Sequence, residues 1–368
     1  MENAMNYICK RCGRTEDTAS RAAKCPCGGL WSLSYEPPGF DLSLVDQDTW
    51  SIFRYRSFMP LEDESWRDIT MGEGMTPVIR LDENVLLKMD YYMPTLSFKD
   101  RGAAVLAAHC KAIGVDRAVQ DSSGNAGNSV AAYCGRAGIA CDIYVPEGTS
   151  PKKITMIRSH GAAVHVIPGN REDCANACRA RVDEEGIFYA SHVYNPFFYE
   201  GTKTYIYEVF EQLRRIPAHL FLPLGNGTLF IGAVKALEHL VQSGTIPAMP
   251  HLVAVQSERC APFAEAVKTR GNTPAHILSA PTLAEGIAIA EPMRGEEILE
   301  MIYRHSADVV TAPEDGILPA REALAKKGIF CEHTTAATYA AYLAFCQERG
   351  PLADALLPMC GAGLKSEH

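Results

Sequence analysis

The sequence predicts an α/β protein: two open parallel-sheet domains preceded by a small cysteine-rich knuckle. Three observations carry that prediction. Short apolar runs alternate with longer helix-like runs through most of the 368 residues, the signature of βαβ units and a parallel sheet. Two glycine-rich stretches, Asp121-Ser122-Ser123-Gly124-Asn125-Ala126-Gly127-Asn128 and Pro223-Leu224-Gly225-Asn226-Gly227-Thr228-Leu229, each leave an apolar run and enter a helix-like one. Two cysteine pairs, Cys9 with Cys12 and Cys25 with Cys27, stand near the start of the chain. A chain of this length exceeds one ordinary core and suggests about two domains.

The knuckle is expected over residues 1–35. Cys9-Lys10-Arg11-Cys12-Gly13 has knuckle spacing, whereas Cys25-Pro26-Cys27-Gly28 is one residue shorter than the common form. Glycine after each pair lets backbone N–H groups turn back toward thiolates. Four cysteines in two pairs suit a tetrahedral structural zinc, and a catalytic zinc is not expected because all four ligand positions would be filled. The alternative is a vestigial knuckle that holds no metal. An arm follows over 36–68, where Pro37-Pro38-Gly39 breaks any helix.

The regular alternation begins after Lys99. Helix 102–113 stops at Gly114, strand 117–120 leads into the first glycine loop, and helix 129–137 stops at Gly138. Strand 139–145, helix 151–159, strand 162–167 and helix 171–185 follow. The second half repeats the rhythm with strand 219–224, helix 228–241 and strand 251–256, and the chain closes with a strand-like run over 356–359. We assign 36–90 and 200–368 to a large domain and 91–199 to a small one. Ligands on such sheets sit beyond the carboxyl ends of the strands, so a cleft between the two domains is the expected site.

The net charge is −9 and no basic run stands out, which argues against nucleic acid or an acidic membrane surface as a partner. No apolar stretch is long enough to cross a bilayer. The start, Met1-Glu2-Asn3-Ala4-Met5-Asn6-Tyr7, lacks the basic and apolar regions of a signal peptide. Thirteen cysteines without an export signal read as thiols and metal ligands rather than disulfides, and the expected compartment is the cytoplasm.

The chemistry centres on Lys99, in Pro94-Thr95-Leu96-Ser97-Phe98-Lys99-Asp100-Arg101-Gly102. Helix N-termini present unpaired N–H groups and a positive dipole end, and so suit anions. A lysine at one such end, with two anion cradles elsewhere in the chain, is the layout a phosphorylated aldehyde cofactor needs. The competing reading is a plain α/β protein with loop glycines and a surface lysine.

Ser97-Phe98-Lys99-Asp100-Arg101-Gly102, Ser123-Gly124-Asn125-Ala126-Gly127 and Gly225-Asn226-Gly227-Thr228 resemble, in order and spacing, the pyridoxal phosphate (PLP) enzymes of the tryptophan-synthase-β superfamily, fold type II. Within it they look most like threonine synthases. The resemblance runs over about 50–365 and includes Trp50-Ser51-Ile52-Phe53-Arg54-Tyr55-Arg56 and Met71-Gly72-Glu73-Gly74-Met75-Thr76-Pro77. It implies a homodimeric PLP-dependent carbon–oxygen lyase of amino-acid metabolism, acting on a small amino-acid substrate.

By that resemblance Lys99 is the catalytic residue, forming an imine with the cofactor and then acting as base on the substrate α-carbon. Asn125 bonds the ring hydroxyl, and Gly225, Asn226, Gly227, Thr228 and Leu229 hold the phosphate. Ser122, Ser123, Gly124 and Ala126 hold the substrate carboxylate, through backbone N–H groups and the Ser123 hydroxyl. Cys360 takes the place of a threonine whose hydroxyl faces the pyridine nitrogen; the alternative is a small core residue. A thiol there is neutral near its reference pKa of about 8.5 and leaves the nitrogen unprotonated.

Two departures from the threonine synthase pattern bear on the substrate. Leu96 replaces a glycine, and is expected either to narrow the cleft or to lie in the core. In Asn195-Pro196-Phe197-Phe198-Tyr199-Glu200-Gly201-Thr202-Lys203, Phe198 takes the position of an arginine expected to bind the phosphate of O-phosphohomoserine. Three functions therefore compete: threonine synthase itself; a serine or threonine dehydratase or a β-replacement synthase on an O-activated serine; and a non-catalytic zinc-knuckle interaction protein. His165, His251 and His276 are expected to be structural, and Cys174 and Cys178 to be buried thiols. If Lys99 holds the cofactor, Lys99→Ala abolishes both the visible imine absorbance and the activity; a fully active variant would remove the assignment.

Overall fold

The structure is a computed structural model that describes residues 5–366. The chain opens with β1 (Asn6–Cys9), β2 (Thr15–Asp17) and β3 (Trp31–Leu33), an antiparallel sheet of order β2-β1-β3. Helix α1 (Trp66–Ile69), strands β4 (Val78–Arg80) and β5 (Val85–Lys88), and helix α2 (Lys99–Ala112) follow. Next come β6 (Arg117–Gln120), α3 (Asn125–Ala137), β7 (Ala140–Pro146), α4 (Pro151–Ser159), β8 (Ala163–Ile167), α5 (Arg171–Glu185) and β9 (Phe188–Tyr189). The remainder is α6 (Phe197–Thr202), α7 (Thr204–Leu213), β10 (His219–Pro223), α8 (Thr228–Gln242), β11 (His251–Ser257), α9 (Pro262–Lys268), α10 (Gly295–Arg304), β12 (Asp308–Ala312), α11 (Glu314–Lys326), α12 (His333–Arg349) and β13 (Ala355–Pro358).

This is the mixed α/β architecture with parallel sheets that the alternation predicts, and the knuckle precedes it. The expected helices 102–113 and 129–137 start earlier than foreseen, at Lys99 and Asn125. In each case the motif residues themselves form the first turn, a place that an alanine-rich pattern does not mark. Helix stops follow local chemistry: Gly138 and Gly186 close α3 and α5 in the left-handed region. The start of α5 is a reciprocal capping box, in which Asn170 Oδ1 accepts from the Glu172 and Asp173 N–H groups while Asp173 Oδ2 accepts from Asn170 N–H.

The chain divides into two compact units. One holds the described residues up to Pro38, Ser43–Glu73 and Lys99–Thr202. Its main sheet is parallel throughout, of order β8-β7-β6-β9. Part of the arm is buried here: Phe53 stacks on Trp66 at 5.2 Å, and Ile52, Tyr55 and Phe58 are buried, whereas Trp50 is exposed. Cys174 and Cys178 lie in the apolar cluster under α5, with Val119 and Tyr189.

The other unit holds Gly39–Leu42, Gly74–Phe98 and the described residues from Lys203 onward. Its sheet has the order β12-β11-β10-β13-β5-β4, parallel except for the β4–β5 pair. Strands β10 and β13 are buried almost throughout, as expected for parallel strands covered on both faces. His251 pairs with Asp308 at 3.1 Å, and in the first unit His165 pairs with Asp142 at 2.6 Å. These partners give both histidines structural roles.

An ion pair is sealed inside the second unit. Lys88 Nζ lies 2.7 Å from Glu208 Oε2, and neither side chain is exposed. Glu208 Oε1 accepts from Met75 N–H at 2.9 Å, and Lys88 Nζ also donates to the Thr76 carbonyl oxygen. Lys88→Ala strands a buried carboxylate and should destabilise the protein by about 3–5 kcal/mol. A double replacement, Lys88→Met with Glu208→Met, should lose less than the single one. Urea unfolding midpoints of the three proteins check this ordering.

Candidate active site

In the first unit Lys99 is the opening residue of α2, and the turn that carries it is held on three sides. Asp100 and Arg101 are fully buried, and Ser129 Oγ on α3 donates to Asp100 Oδ1 at 2.5 Å. Helix α6 presses on the same turn. A Cβ at Gly201 would lie 2.0 Å from the Arg101 carbonyl oxygen, and a Cβ at Gly102 would lie 2.3 Å from the Phe198 ring. Only glycine permits backbones to approach so closely. The Phe198 ring therefore ends up fully buried, its centroid 5.9 Å from Lys99 Nζ.

The loop before α3 is the second feature of this unit. Gly124 is the helix cap in extended conformation and Asn125 the first helical residue. Gly124 N–H donates to Ser122 Oγ at 3.3 Å, and Tyr189 on β9 donates to Asp121 at 2.8 Å. Ser122 and Ala126 are buried, whereas Ser123, Gly124 and Asn125 are only partly so. The Asp100–Ser129 bond ties the first turn of α2 to α3, the helix that the 122–126 loop opens.

In the second unit, residues 225–229 leave the carboxyl end of β10 and open α8. Gly227 has φ +78°, and a Cβ there would meet Ile298 at 2.5 Å; a Cβ at Gly225 would come within 3.0 Å of Ile287 Cα. Such a turn is closed to side chains, while the first N–H groups of a helix have no partner within it. Thr228 adds a buried hydroxyl. Because β10 and β13 are parallel neighbours, Cys360, just past β13, leaves the same sheet end as this loop. Cys360 is buried and its carbonyl oxygen accepts from Phe98 N–H at 2.9 Å. Taken each by itself, the amine and amide of the first unit suit an aldehyde and a ring oxygen, and the glycine-built helix start of the second, with its hydroxyl, suits a phosphate.

Leu96 has φ +59°, a left-handed conformation that costs a branched side chain about 1–2 kcal/mol. The side chain is 40% exposed, so the core placement is excluded. The backbone still needs the angle that glycine would supply freely. Its N–H donates to the Met93 carbonyl and its own carbonyl accepts from Ala362 N–H, both near 3 Å (2.9 and 3.1 Å).

The four knuckle cysteines converge. Their sulfur atoms all lie within 4.8 Å of one another, with Cys9–Cys27 and Cys12–Cys25 at 3.5 Å. Tetrahedral zinc with bonds of about 2.3 Å separates its sulfur ligands by about 3.8 Å, so the cluster is close to that shape. The short second pair succeeds because a tight turn follows it: Gly28 N–H donates to the Cys25 carbonyl, and Cys25 N–H to that of Gly29. The Gly29 N–H also holds the Cys27 thiol down at about 7.

Two residues of the site region escape sequence reasoning. Glu332 has its carboxyl group where a Cβ on Gly361 would stand, 2.2 Å away, directly beside Cys360. His192, between β9 and α6, is buried near Lys99 and is pushed well below its ordinary pKa by burial and then by the charges of Lys99 and Arg171. Neither lies in a glycine loop or at a recognisable spacing, so no local pattern marks them.

The profile of the family described as "Pyridoxal-phosphate dependent enzyme" matches residues 69–361. The threonine synthase of Methanocaldococcus jannaschii is 28% identical over 347 residues, 90% of this chain and 85% of that one. That of Mycobacterium leprae is 30% identical over 301 residues, 79% of this chain and 81% of its own. Among solved structures, the processed form of threonine deaminase isoform 2 from Solanum lycopersicum matches with a TM-score of 0.70 at 20% identity, over 91% of this chain and 93% of that chain. O-ureido-L-serine synthase matches with a TM-score of 0.67 at 21% identity, over 83% and 93%. These two structures share the fold.

Glu73, from the Gly72-Glu73-Gly74 motif, braces α3 from below. Its carboxyl group accepts from Thr70 Oγ1 (2.9 Å), Met71 N–H (2.8 Å) and Tyr133 OH (2.9 Å). Burial nonetheless raises it to about 7 from an ordinary 4.5. Between those values only the folded chain keeps the proton. The stabilisation is therefore complete below pH 4.5 and is lost as pH rises through 7, by about 3 kcal/mol in all. Urea midpoints measured from pH 5 to 7.5 should fall in the wild type and stay flatter in Glu73→Gln.

Proposed function

Because the chain belongs to the family of pyridoxal-phosphate-dependent enzymes, we propose that it is a lyase acting on a small amino acid and releasing an uncharged or small leaving group from the side chain. Lys99 is the amine that bonds the cofactor aldehyde and the base that takes the proton from the substrate α-carbon. Asn125 donates to the ring oxygen, 225–229 hold the phosphate with backbone N–H groups and the Thr228 hydroxyl, and Cys360 meets the pyridine nitrogen. Ser122, Ser123, Gly124 and Ala126 orient the substrate carboxylate. When bound, the cofactor supplies an electron sink for the charge left on the α-carbon.

The observation that carries the choice of leaving group is Phe198. Its ring is buried against Gly102 and near Lys99, at the position where the threonine synthase pattern has an arginine. A bidentate arginine–phosphate contact contributes about 1.5–3 kcal/mol, or about ten- to over a hundredfold in affinity. An aromatic ring contributes none of it, and lysines elsewhere lack the fork geometry. Serine, threonine or an O-activated serine suit this chain better than O-phosphohomoserine. The second reading, threonine synthesis from O-phosphohomoserine, is favoured by the names of the curated relatives.

A substrate panel with phosphate, ammonia and keto-acid detection separates the two. O-phosphohomoserine should show a kcat/KM at least about tenfold below that of the best uncharged substrate. Efficient turnover, with phosphate released in step with threonine, would overturn the first reading and establish the second.

We also propose a structural zinc on Cys9, Cys12, Cys25 and Cys27, supported by the convergence of their sulfur atoms. Metal analysis of purified protein should find one zinc per chain. Cys12→Ser should lose most of it, and chelation should lower the thermal midpoint, because metal binding contributes directly to folding.

A further inference from the structure

We propose that His192 is a specificity-determining residue that hydrogen-bonds the side-chain oxygen of a hydroxy-amino-acid substrate, with Phe198 as the apolar wall beside it. The proposal rests on the reading of the chain as a lyase for uncharged leaving groups. His192 follows β9, beyond the carboxyl end of a parallel strand, where α/β sheets place ligand contacts. It is 8% exposed, and its Nδ1 is fully buried with no hydrogen-bond partner. Buried ring nitrogens are normally satisfied, so one left open is a candidate for a bound molecule.

The opening is not slack in the chain. Ser191 Oγ accepts from Val193 and Tyr194 N–H at 3.3 Å each, Asn195 Oδ1 accepts from Phe197 N–H at 3.0 Å, and Tyr199 OH donates to the Val193 carbonyl at 2.9 Å. These neighbours along the segment are pinned while the imidazole Nδ1 is left without a partner. The ring stands 5.9 Å from Phe198, edge to face, and Phe198 stands 5.9 Å from Lys99 Nζ.

The chemistry of the group selects the ligand. Burial beside the charges of Lys99 and Arg171 keeps the imidazole neutral, so it has one N–H donor and one acceptor nitrogen. That pair matches a hydroxyl and gives a phosphate dianion no counter-charge. Sites that hydrogen-bond a substrate hydroxyl discriminate strongly against the analogue lacking it, because a buried polar group is then left open.

The test measures dissociation constants on the holoenzyme by the change in cofactor absorbance, for L-serine, L-threonine and O-phospho-L-homoserine against L-alanine and L-2-aminobutyrate. The wild type should favour each hydroxy amino acid over its deoxy partner by about tenfold. His192→Phe should erase that ratio while leaving the L-alanine constant nearly unchanged. His192→Asn, which keeps a polar atom where Nδ1 stands, should retain part of it. Should phenylalanine not be accommodated, His192→Leu removes the same atom and decides equally. A ratio unchanged in the phenylalanine or leucine variant overturns the proposal, as does a wild type that shows no preference. If O-phospho-L-homoserine binds tightest to the wild type, the leaving-group reading falls; the histidine assignment is still judged by whether the oxygen-dependent ratio collapses.

Discussion

Helices α2 and α6 meet backbone to backbone, and the chemistry of the first unit depends on that contact. Gly102 and Gly201 remove the two side chains that would hold the helices apart. Close approach brings the Phe198 ring over the first turn of α2, where Lys99 stands. It also buries Asp100 and Arg101, two charged residues that an isolated helix would expose. Burying them is tolerable only because they are bonded, as Asp100 is to Ser129 on α3. Lys99 is thus mounted on a turn that cannot shift without breaking buried polar contacts.

The knuckle extends the same framework. Tyr7 on β1 stacks with Trp31 at 5.9 Å and its hydroxyl lies 3.1 Å from His109 Nε2 on α2. His109 stacks on Phe197 at 3.7 Å, and its other nitrogen meets Glu62 at 2.7 Å. Phe197 directly precedes Phe198. The cysteine cluster, one strand residue beyond Ile8, is therefore coupled through three packed rings to the segment that shapes the surroundings of Lys99. That is a structural reason for keeping the knuckle beside a catalytic body whose own chemistry does not call for it.

In the second unit a glycine-built turn leaves the carboxyl end of a strand that is buried almost throughout. Strands β10 and β13 are neighbours, so 225–229 and Cys360 emerge side by side. Crowding of Gly225 by Ile287 and of Gly227 by Ile298 closes the turn to side chains. At the end of β5, Lys88 forms with Glu208 a charge pair cut off from solvent. A pair of this kind fixes one arrangement of its neighbours more than it adds net stability.

The sequence by itself determined the class of fold and the alternation of strands and helices from Lys99 to Glu185, and it singled out one lysine and two glycine loops. Those features are local: glycine, helix starts and apolar periodicity act over a few residues and leave their mark in the order of letters. It also marked Leu96 and Phe198 as departures, without saying where either side chain goes. Only the tertiary structure decided that Leu96 takes a left-handed backbone angle with its side chain out of the core. Only it set Phe198 against Gly102, and placed His192, with its unpartnered nitrogen, near Lys99. Those placements depend on contacts between segments about a hundred residues apart in the chain, such as Gly102 with Phe198 and Arg101 with Gly201. No short-range pattern encodes such a contact, because the energy that selects it comes from packing two surfaces that become neighbours only after folding.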